Sequence, residues 1–197
     1  MSELKKQNNE QAFDFKTKYP WLRIINLYTG KVDDKWTIET EMPEGWLKAF
    51  GEMMCEELDA AIKKAGLEED FRVLQIKEKY GSLRFYCSHT NDEIGNIISK
   101  YELLSSNICL FCGKPDVPML DIGWISPFCK DCFDTKISDT RPYEKVANDE
   151  TRMADKLRYR RWSKETGEET IEIDISETAE KIRKRWEERQ KEKGEKN

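Results

Sequence analysis

Apolar residues recur at the spacing of an amphipathic helix in three stretches of the chain. The longest stretch runs from about Trp46 to Ala65 and stops at Gly66, a residue type that commonly ends helices. Its apolar stripe consists of Trp46, Phe50, Met54, Leu58, Ala61 and Ile62. Because these positions repeat at the helical period, they predict one helix whose stripe faces the core. Cys55, beside the stripe, is interpreted as a small buried apolar residue.

Two further helices are predicted later in the chain. Thr90 and Glu93 have the spacing of a capping box, in which each side chain satisfies a backbone N–H of the first turn. The apolar face of the helix that follows is Ile94, Ile97, Ile98, Tyr101 and Leu104. The last helix begins near Ser176 and carries Ala179, Ile182 and Trp186 on one side. Each of these helices is expected to pack one face against other elements.

Strand-forming residues on both sides of turn residues predict three β-hairpins. The paired segments are 22–28 with 35–40, 71–77 with 83–88, and 157–162 with 171–175. In the second hairpin Leu83, Phe85 and Cys87 alternate with polar or amphipathic residues, so these three side chains are expected to point inward. A further short hairpin is expected over residues 120–125.

These elements predict an α+β fold with a small hairpin-and-helix body. The predicted organisation is a polar lead-in over 1–19, an α+β body over 20–104, a four-cysteine zinc module over 105–137 packed on the body, and a charged, partly helical C-terminal extension over 138–197. The extension is distinguished by its composition, because Lys, Arg, Glu and Asp dominate the chain after about Ser138.

Composition and charge narrow the class of protein. Charged residues make up 37% of the chain, against roughly 25% in an average soluble domain, which predicts a modest core. The net charge of −5 gives no support to nucleic-acid binding by the protein as a whole. No apolar run approaches the roughly 20 residues that cross a bilayer, and residues 1–15 lack the apolar centre of a secretory signal. A cytoplasmic protein with no membrane partner is therefore expected.

Four of the six cysteines have the spacing of a metal site. Cys109 and Cys112 form one C-x2-C pair, Cys129 and Cys132 form another, and sixteen residues separate the pairs. Two such pairs supply the four thiolates of a tetrahedral zinc site. An iron–sulfur cluster is the main rival, because it uses the same four thiolates. With cysteine at all four positions no coordination site is left for water, so the predicted zinc ion, one per chain, is structural.

The type of zinc module depends on what accompanies the second pair. Gly113 directly follows the first pair, where the turn requires a residue that tolerates unusual backbone angles. A hairpin between the pairs and a second pair at the start of a helix would make a treble clef. If no helix follows Cys132, the module is a zinc ribbon.

Part of this chain resembles a group of uncharacterised proteins encoded by bacteriophages and prophages. The resemblance lies in the string Gln-Ile-Lys-Glu-Lys-Tyr-Gly-Ser-Leu-Arg-Phe-Tyr over residues 75–86, followed by Cys-x-x-Cys-Gly, Gly-Trp and Cys-x-x-Cys. It extends from about Pro20 to Cys132 and includes Gly45-Trp46. The resemblance implies a bacterial host cell and a four-cysteine metal site, and it supplies no catalytic residues.

The sequence contains few residues or motifs that would support an enzymatic function. His89 is the only histidine and lies at the end of a predicted strand, where its side chain is expected to be exposed. The chain contains no glycine-rich phosphate loop, nucleophile elbow or His-Glu-x-x-His motif. An enzyme of unknown type is therefore the third-ranked hypothesis, and no catalytic residue is assigned.

Basic and aromatic residues alternate in one segment of the C-terminal third. The residues expected to contact nucleic acid there are Arg158, Tyr159, Arg160, Arg161 and Trp162. Arginines bind phosphates and aromatic rings stack on unpaired bases, so the mixture suits single-stranded nucleic acid. The alternative is a solvated face whose arginines pair with Glu165, Glu168 and Glu169. The acidic sequence pI of about 5.3 favours this alternative.

Two functional hypotheses follow. The first is a non-enzymatic zinc-containing protein of phage or prophage type that binds a host or phage protein, for instance as an inhibitor of a host defence protein. The second is a nucleic-acid-binding accessory protein that uses the zinc module and the basic cluster around Arg158–Arg161. The acidic balance of the chain and its amphipathic C-terminal helix favour the first hypothesis.

Overall fold

The computed structural model describes residues 14–26, 28–32, 36–137, 142–146, 152–163 and 167–195. The helices in these residues are α1 (Phe15–Lys18), α2 (Ile38–Glu41), α3 (Glu44–Trp46), α4 (Glu52–Ala65), α5 (Asp92–Ser105), α6 (Lys130–Lys136) and α7 (Ser176–Glu195). The strands form antiparallel hairpins: β1 (Arg72–Lys79) with β2 (Ser82–Ser88), β3 (Met119–Asp121) with β4 (Ile125–Pro127), and β5 (Lys156–Ser163) with β6 (Gly167–Asp174). The predicted α+β class is confirmed.

The long central helix forms as the apolar stripe predicts. Helices α3 and α4 are joined through a π-helical turn at Leu47–Gly51, so the helical backbone is continuous from Glu44 to Ala65. Gly66 ends it in the left-handed conformation, with φ of 65°. All six predicted stripe residues are buried in the main core. Cys55 is buried with them, and burial raises the pKa of its thiol far above the usual value.

The second predicted hairpin is also confirmed. Tyr80 and Gly81 both have positive φ, as the two central residues of a tight hairpin turn require. Leu83 and Phe85 are buried in the main core, while Cys87 is half-buried and packs against it. The sheet lies against helix α5, which satisfies the outward N–H groups of β2: Ser105 Oγ accepts from Leu83 N at 2.8 Å and Glu102 Oε1 from Phe85 N at 2.9 Å. These bonds fix the hairpin on the helix.

The first predicted hairpin is wrong in its strands, although Ile25 and Val32 form an antiparallel bridge across the predicted turn at Thr29-Gly30. Residues Pro20–Leu22 form a 3₁₀ turn, and Ile24 pairs in parallel with Val73 of β1 instead of starting a hairpin strand. The expected return strand over 35–40 is replaced by helix α2 from Ile38. A reciprocal cap between Thr37 and Thr40 starts this helix, because each residue supplies a side-chain oxygen to the other's backbone N–H. Local capping therefore outweighed the strand preference of the β-branched residues.

The predicted capping box of helix α5 is wrong in its residues, although the helix itself is confirmed. Asn91, one residue after Thr90, is the N-cap, and its Oδ1 accepts from Ile94 N at 2.9 Å. Glu93 instead forms an ion pair with Lys64 of helix α4, at 2.8 Å. Asparagine is at least as good an N-cap as threonine, and the displaced glutamate gains a partner on the neighbouring helix.

The C-terminal elements are joined to the main core. The hairpin β5–β6 and the final helix form where the sequence predicts them, and α7 begins at Ser176. The residues that enter the same buried cluster as the central helix are Met153, Leu157, Ile175, Ala179 and Ile182. Trp186, on the predicted apolar side of α7, is half-buried. The described part of the charged C-terminal third therefore packs on the body.

Among the described helices, none combines the length and the apolar character that crossing a bilayer requires.

Candidate metal centre

The four cysteines of the two C-x2-C pairs meet in one cluster. The Sγ atoms of Cys109, Cys112, Cys129 and Cys132 all lie within 4.8 Å of one another. Sulfurs bound tetrahedrally at about 2.3 Å from zinc would be about 3.8 Å apart. The observed 3.6 Å between the sulfurs of Cys112 and Cys129 is close to that separation. The cluster therefore fits a four-coordinate metal ion, and zinc is compatible with it.

Two different backbone structures present the two pairs. Cys109 and Cys112 lie in a turn after α5, closed by hydrogen bonds from Cys109 N to Lys114 O at 2.9 Å and from Gly113 N to Cys109 O at 3.0 Å. Cys129 is the N-cap residue of α6, and its carbonyl accepts from Phe133 N at 2.9 Å. Cys132 lies in the first turn of that helix, so a turn and a helix start converge on one point.

Close backbone packing against the body fixes the first pair. Gly45 N donates to Leu110 O at 2.8 Å, and a Cβ built on Gly45 would lie only 2.1 Å from Cys109 O. Gly113 has φ of 78°, and a Cβ there would lie 2.5 Å from Gly45 O. Side chains at either glycine would push the two backbones apart, so glycine is required at both positions.

Trp46 also supports this turn, although sequence reasoning assigned it only to the core. Its indole Nε1 donates to Ile108 O at 2.9 Å, one residue before the first ligand, and its side chain is fully buried. Sequence reasoning missed this role of Gly45 and Trp46. The sequence did contain one indication: Gly45-Trp46 and the cysteine motifs belong to the same resemblance to phage-encoded proteins.

A second hydrophobic cluster surrounds the sulfurs. Its members include Val117, Leu120, Ile122, Phe128 and Phe133, together with Cys109, Cys129 and Cys132. Phe111 stacks on Phe128 with ring centroids 5.2 Å apart. The segment 142–146 completes the cluster: Val146 N donates to Met119 O at 2.9 Å, and Tyr143 OH donates to Phe128 O at 3.1 Å. The module thus has a small core of its own with the cysteines inside it.

The charge balance of three of these thiols indicates how a cation would fit this cluster. Hydrogen bonds from the thiols of Cys112 and Cys129 lower the pKa of Cys109 to about 2. Burial, followed by the negative charge on Cys109, raises the pKa of Cys132 to about 12. The pKa of Cys112 is also raised, because its thiol donates to its neighbours. A divalent cation would supply the positive charge that allows all four to be thiolates.

An ion pair connects the four-cysteine segment 105–137, called the metal module below, to helix α7. Asp116, in the loop between the first cysteine pair and β3, accepts from Arg183 Nε at 2.7 Å and from Arg183 Nη2 at 3.1 Å. The same carboxylate accepts from Met153 N at 2.9 Å. Burial alone would raise the pKa of Asp116, but these hydrogen bonds outweigh it and hold the pKa below its usual value. The carboxylate is therefore ionised at neutral pH.

The predicted basic cluster is largely neutralised within its own hairpin. Arg158 and Lys156 of β5 both form ion pairs with Glu172 of β6, and Arg160 pairs with Glu168 at 3.1 Å. Tyr159 OH donates to Asn96 Oδ1 at 2.6 Å, which ties that ring to helix α5. The backbones of Arg161 and Trp162 pair with β6, while their side chains lie outside the described part of the chain.

His89 lies apart from the metal cluster. Its side chain is exposed, its backbone has φ of 55°, and its Nδ1 lies 3.1 Å from the Oγ of the adjacent Ser88. The structure thus brings together the four predicted metal ligands and places His89 and the basic segment elsewhere. Comparison with protein-family models, with curated proteins and with solved structures gives no match to this chain.

Proposed function

We propose that the four cysteines bind one structural zinc ion in a treble-clef module. The support is the order of elements around the sulfurs: a turn with Cys109 and Cys112, the hairpin β3–β4, and helix α6 with Cys132 in its first turn. A zinc ribbon would need no such helix. Metal analysis of the purified protein tests the assignment, since zinc and iron differ in mass and only an iron–sulfur cluster absorbs visible light.

We further propose that the protein is a non-enzymatic binding protein of bacteriophage or prophage type. In this proposal it acts in the cytoplasm of a bacterial host, where it binds a host or phage protein, for instance a defence protein that it inhibits. The observation that carries the proposal is a set of large aromatic side chains left in water. Tyr28, Trp36, Tyr80, Tyr86 and Trp124 are between 42% and 99% exposed. Tyrosine and tryptophan are enriched where proteins bind each other.

The proposed zinc ion has a structural part in this function. Its four protein ligands fill the coordination sphere, so the ion holds the module together and offers no position for a substrate. The turn around Cys109 packs directly on the body through Gly45. The metal would thereby keep the hairpin β3–β4, with the exposed Trp124 at its turn, in one arrangement.

Nucleic-acid binding through the segment Arg158–Arg161 is the less favoured function. Its described arginines have carboxylate partners on β6, and Tyr159 is bonded to Asn96. Phosphate contacts there would have to compete with these ion pairs. Protein binding therefore remains the better-supported proposal.

Capture from a bacterial lysate tests the proposed function. Zinc-loaded protein is immobilised, the lysate is treated with nuclease, and the retained proteins are identified by mass spectrometry. One or a few proteins retained in stoichiometric amounts after nuclease treatment are expected. Retention that disappears with nuclease, together with binding of single-stranded DNA or RNA that weakens steeply as salt rises, would favour the nucleic-acid hypothesis instead. Replacing Arg158, Arg160 and Arg161 together by alanine would then lower that affinity for all sequences alike.

A further inference from the structure

A groove of about 550 Å³ runs along β1 and is lined by no residue of the metal module. Its floor is aliphatic and is formed by residues that precede the first turn and by residues of β1. The residues lining it are Ile24, Ile25, Asn26, Tyr28, Trp36, Glu41, Leu74, Gln75, Ile76 and Tyr86. The three aromatic residues at its rim are also among the exposed ones, with Tyr28 99%, Trp36 49% and Tyr86 42% exposed. Apolar floor and aromatic rim together suit the side chains of another chain.

The local structure explains why this groove exists. Ile25 N donates to Val73 O at 3.2 Å, so the segment 24–25 covers only the start of the edge of β1. Asn26 then turns the chain away, since its Oδ1 accepts from the backbone N–H groups of Tyr28 and Thr29. An irregularity in strand register between Val73 and Gln75 lies beside the same opening. The groove is therefore built by hydrogen-bonded elements.

Three cationic side chains, those of Lys77, Lys79 and Arg84, lie on the solvent face of the hairpin β1–β2. Strand register places Lys77 opposite Arg84, Lys79 opposite Ser82, and Gln75 opposite Tyr86. Lys77 Nζ donates to Gln75 Oε1 at 2.6 Å and lies 5.3 Å from the Tyr86 ring centroid. Arg84 Nη1 donates to Ser82 Oγ and to Leu83 O, both at 2.7 Å.

Within the described residues none of these cations has a carboxylate at ion-pair distance, unlike the described arginines of β5. The nearest acidic residue in sequence, Glu78, accepts instead from the backbone N–H of Gly81. The only carboxylate lining the groove, among the residues described, is Glu41. The face beside the groove thus presents Lys77 and Lys79 without a described carboxylate at ion-pair distance, while Arg84 interacts electrostatically with Glu102 of helix α5, on a protein whose net charge is −5. Its electrostatic complement is an anionic group.

We propose that this groove binds an extended segment of a partner protein that combines large apolar side chains with carboxylates. The apolar side chains would fill the groove between Tyr28, Trp36 and Tyr86, and the carboxylates would pair with Lys77 and Arg84. The inference rests on the proposed protein-binding function and assigns it a surface and a ligand chemistry. The aliphatic floor favours a polypeptide over single-stranded nucleic acid, because aliphatic side chains fill such a surface whereas bases bind by stacking on aromatic faces.

Peptide selection tests this proposal. The full-length, zinc-loaded protein is immobilised and exposed to a displayed library of random peptides about 12 residues long, a length that covers a single bound segment. We expect enrichment of peptides that contain both carboxylates and large apolar residues. Binding of the enriched peptides should weaken by about tenfold or more in Tyr86→Ser, and in the double variant Lys77→Glu with Arg84→Glu. Tyr28→Ser serves as a second groove variant, because a side chain that is 99% exposed is not needed for folding.

Matched controls separate the groove from general effects. Tyr80→Ser removes an exposed aromatic ring of the same hairpin that does not line the groove, and Lys184→Glu reverses an exposed charge on helix α7. Both should bind the peptides as the wild-type chain does. The zinc content and thermal unfolding of every variant are measured to establish that its fold is intact.

Several results would overturn the inference. These are a selection without enrichment, enriched peptides that are basic or that bind the groove variants equally well, and an oligothymidine strand whose binding is lost in the groove variants. A lysate protein retained equally by wild-type and Tyr86→Ser protein would leave the proposed function standing and remove only the groove assignment. Failure to retain any protein, combined with a selection without enrichment, would remove both.

Discussion

Two glycines, at the contact between the turn that holds Cys109 and the central helix, leave no space for a side chain. Gly45 and Gly113 approach each other backbone to backbone, and a Cβ on either would lie 2.5 Å or less from a carbonyl oxygen. Only Gly113 has positive φ, so the requirement at Gly45 is one of space and not of backbone conformation. Because the obstructing atoms belong to backbone, they cannot move aside as a side chain would.

Gly45→Ala should therefore disrupt the metal module. We expect the free energy of unfolding to fall by about 3 kcal/mol or more, because overpacking against fixed backbone must displace the turn that holds Cys109. Chemical denaturation of the zinc-loaded protein measures this change. The matched control is Gly95→Ala in helix α5, where nothing lies within 4 Å of the added Cβ. That variant should be neutral or more stable by up to about 1 kcal/mol, and equal stability of the two variants would contradict the steric explanation.

Replacement of one of the four clustered cysteines should lower zinc content and stability, whereas replacement of Cys87 should not lower zinc content. Cys109→Ser or Cys129→Ser should lower the zinc content below one per chain and lower stability, because removal of one thiolate opens a closed site. Cys87→Ser is the matched control and should keep full zinc content, since burial raises the pKa of Cys87 to about 11 and the residue lies outside the cluster. Metal analysis and thermal unfolding measure both effects. Full zinc content in Cys109→Ser would exclude the proposed site.

At the scale of elements, two contacts that attach the metal module to the body lie at separate places. One is the backbone contact at Gly45, and the other is the ion pair between Asp116 of the module and Arg183 of helix α7. Asp116 also accepts from Met153 N, so one carboxylate joins the module, helix α7 and the segment before β5. Asp116 itself has φ of 54°, a conformation that Asp and Asn tolerate better than most residues.

Asp116→Asn should loosen this junction without adding backbone strain. We expect a loss of about 1–2 kcal/mol at neutral pH, because a charge-assisted hydrogen-bonded pair becomes a neutral one and partial exposure screens the rest. The folded-state pKa of Asp116 is lowered, so its stabilisation is present above the unfolded-state pKa and is lost only as pH falls through the folded value.

Denaturation in excess zinc at several pH values between about 6 and 8 measures this difference, well above the usual carboxyl pKa of about 3.9. The difference between wild-type and Asp116→Asn protein should stay constant over this range. A difference that shrinks towards pH 6 would contradict the assignment to an ionised Asp116. Glu177→Gln, on the exposed first turn of helix α7, is the control and should change stability little.

At the scale of the whole molecule, the buried residues form two clusters. The main cluster contains the central helix, the hairpin β1–β2, helix α5 and residues from the C-terminal third. The smaller one surrounds the cysteines and draws on the segment 142–146 through Tyr143. The smaller cluster has few apolar residues, so we expect it to depend on a bound metal ion for stability, as small metal-binding units do.

Removal of the metal should unfold the smaller cluster and spare the larger one. Apparent binding energies of structural zinc are about 10–16 kcal/mol, comparable with the roughly 5–15 kcal/mol that stabilises a whole domain. After treatment with a strong zinc chelator, trypsin should first cut at Lys130 and Lys136, while β1–β2 and helix α5 stay protected. Limited proteolysis with mass spectrometry measures the order of cuts, and added zinc should restore the original pattern. Simultaneous loss of protection throughout the main core would show that the clusters unfold as one unit.

Much of this structure follows from patterns that span a few residues. The stripe from Trp46 to Ile62, the hairpins β1–β2 and β5–β6, and the start of α7 near Ser176 depend on periodicity, turn residues and helix ends, which act locally. The four cysteines were identifiable for a chemical reason. Two close pairs of thiols at that spacing suit one tetrahedral ion, whatever fold surrounds them.

The wrong predictions arose where two local preferences competed. Residues 35–40 contain strand formers, but the reciprocal cap of Thr37 and Thr40 made helix α2 from Ile38. At the start of α5 Asn91 competed with Thr90 for the N-cap, and a distant Lys64 decided the role of Glu93. A local cap resolved the first competition, whereas a contact with another helix decided the role of Glu93, and the sequence pattern does not contain such a contact.

The sequence by itself determined most of the segments that are helices or hairpins and which sulfurs belong together, because these depend on neighbours along the chain. Tertiary structure alone decided which charges remain free. It paired Arg158 with Glu172 and left Lys77 without a carboxylate at ion-pair distance within the described residues. It also placed Gly45 against Gly113 and joined the C-terminal third to the core through Leu157 and Ile182. Ion pairing and close packing depend on distances between residues far apart in sequence, and only the folded chain sets those distances.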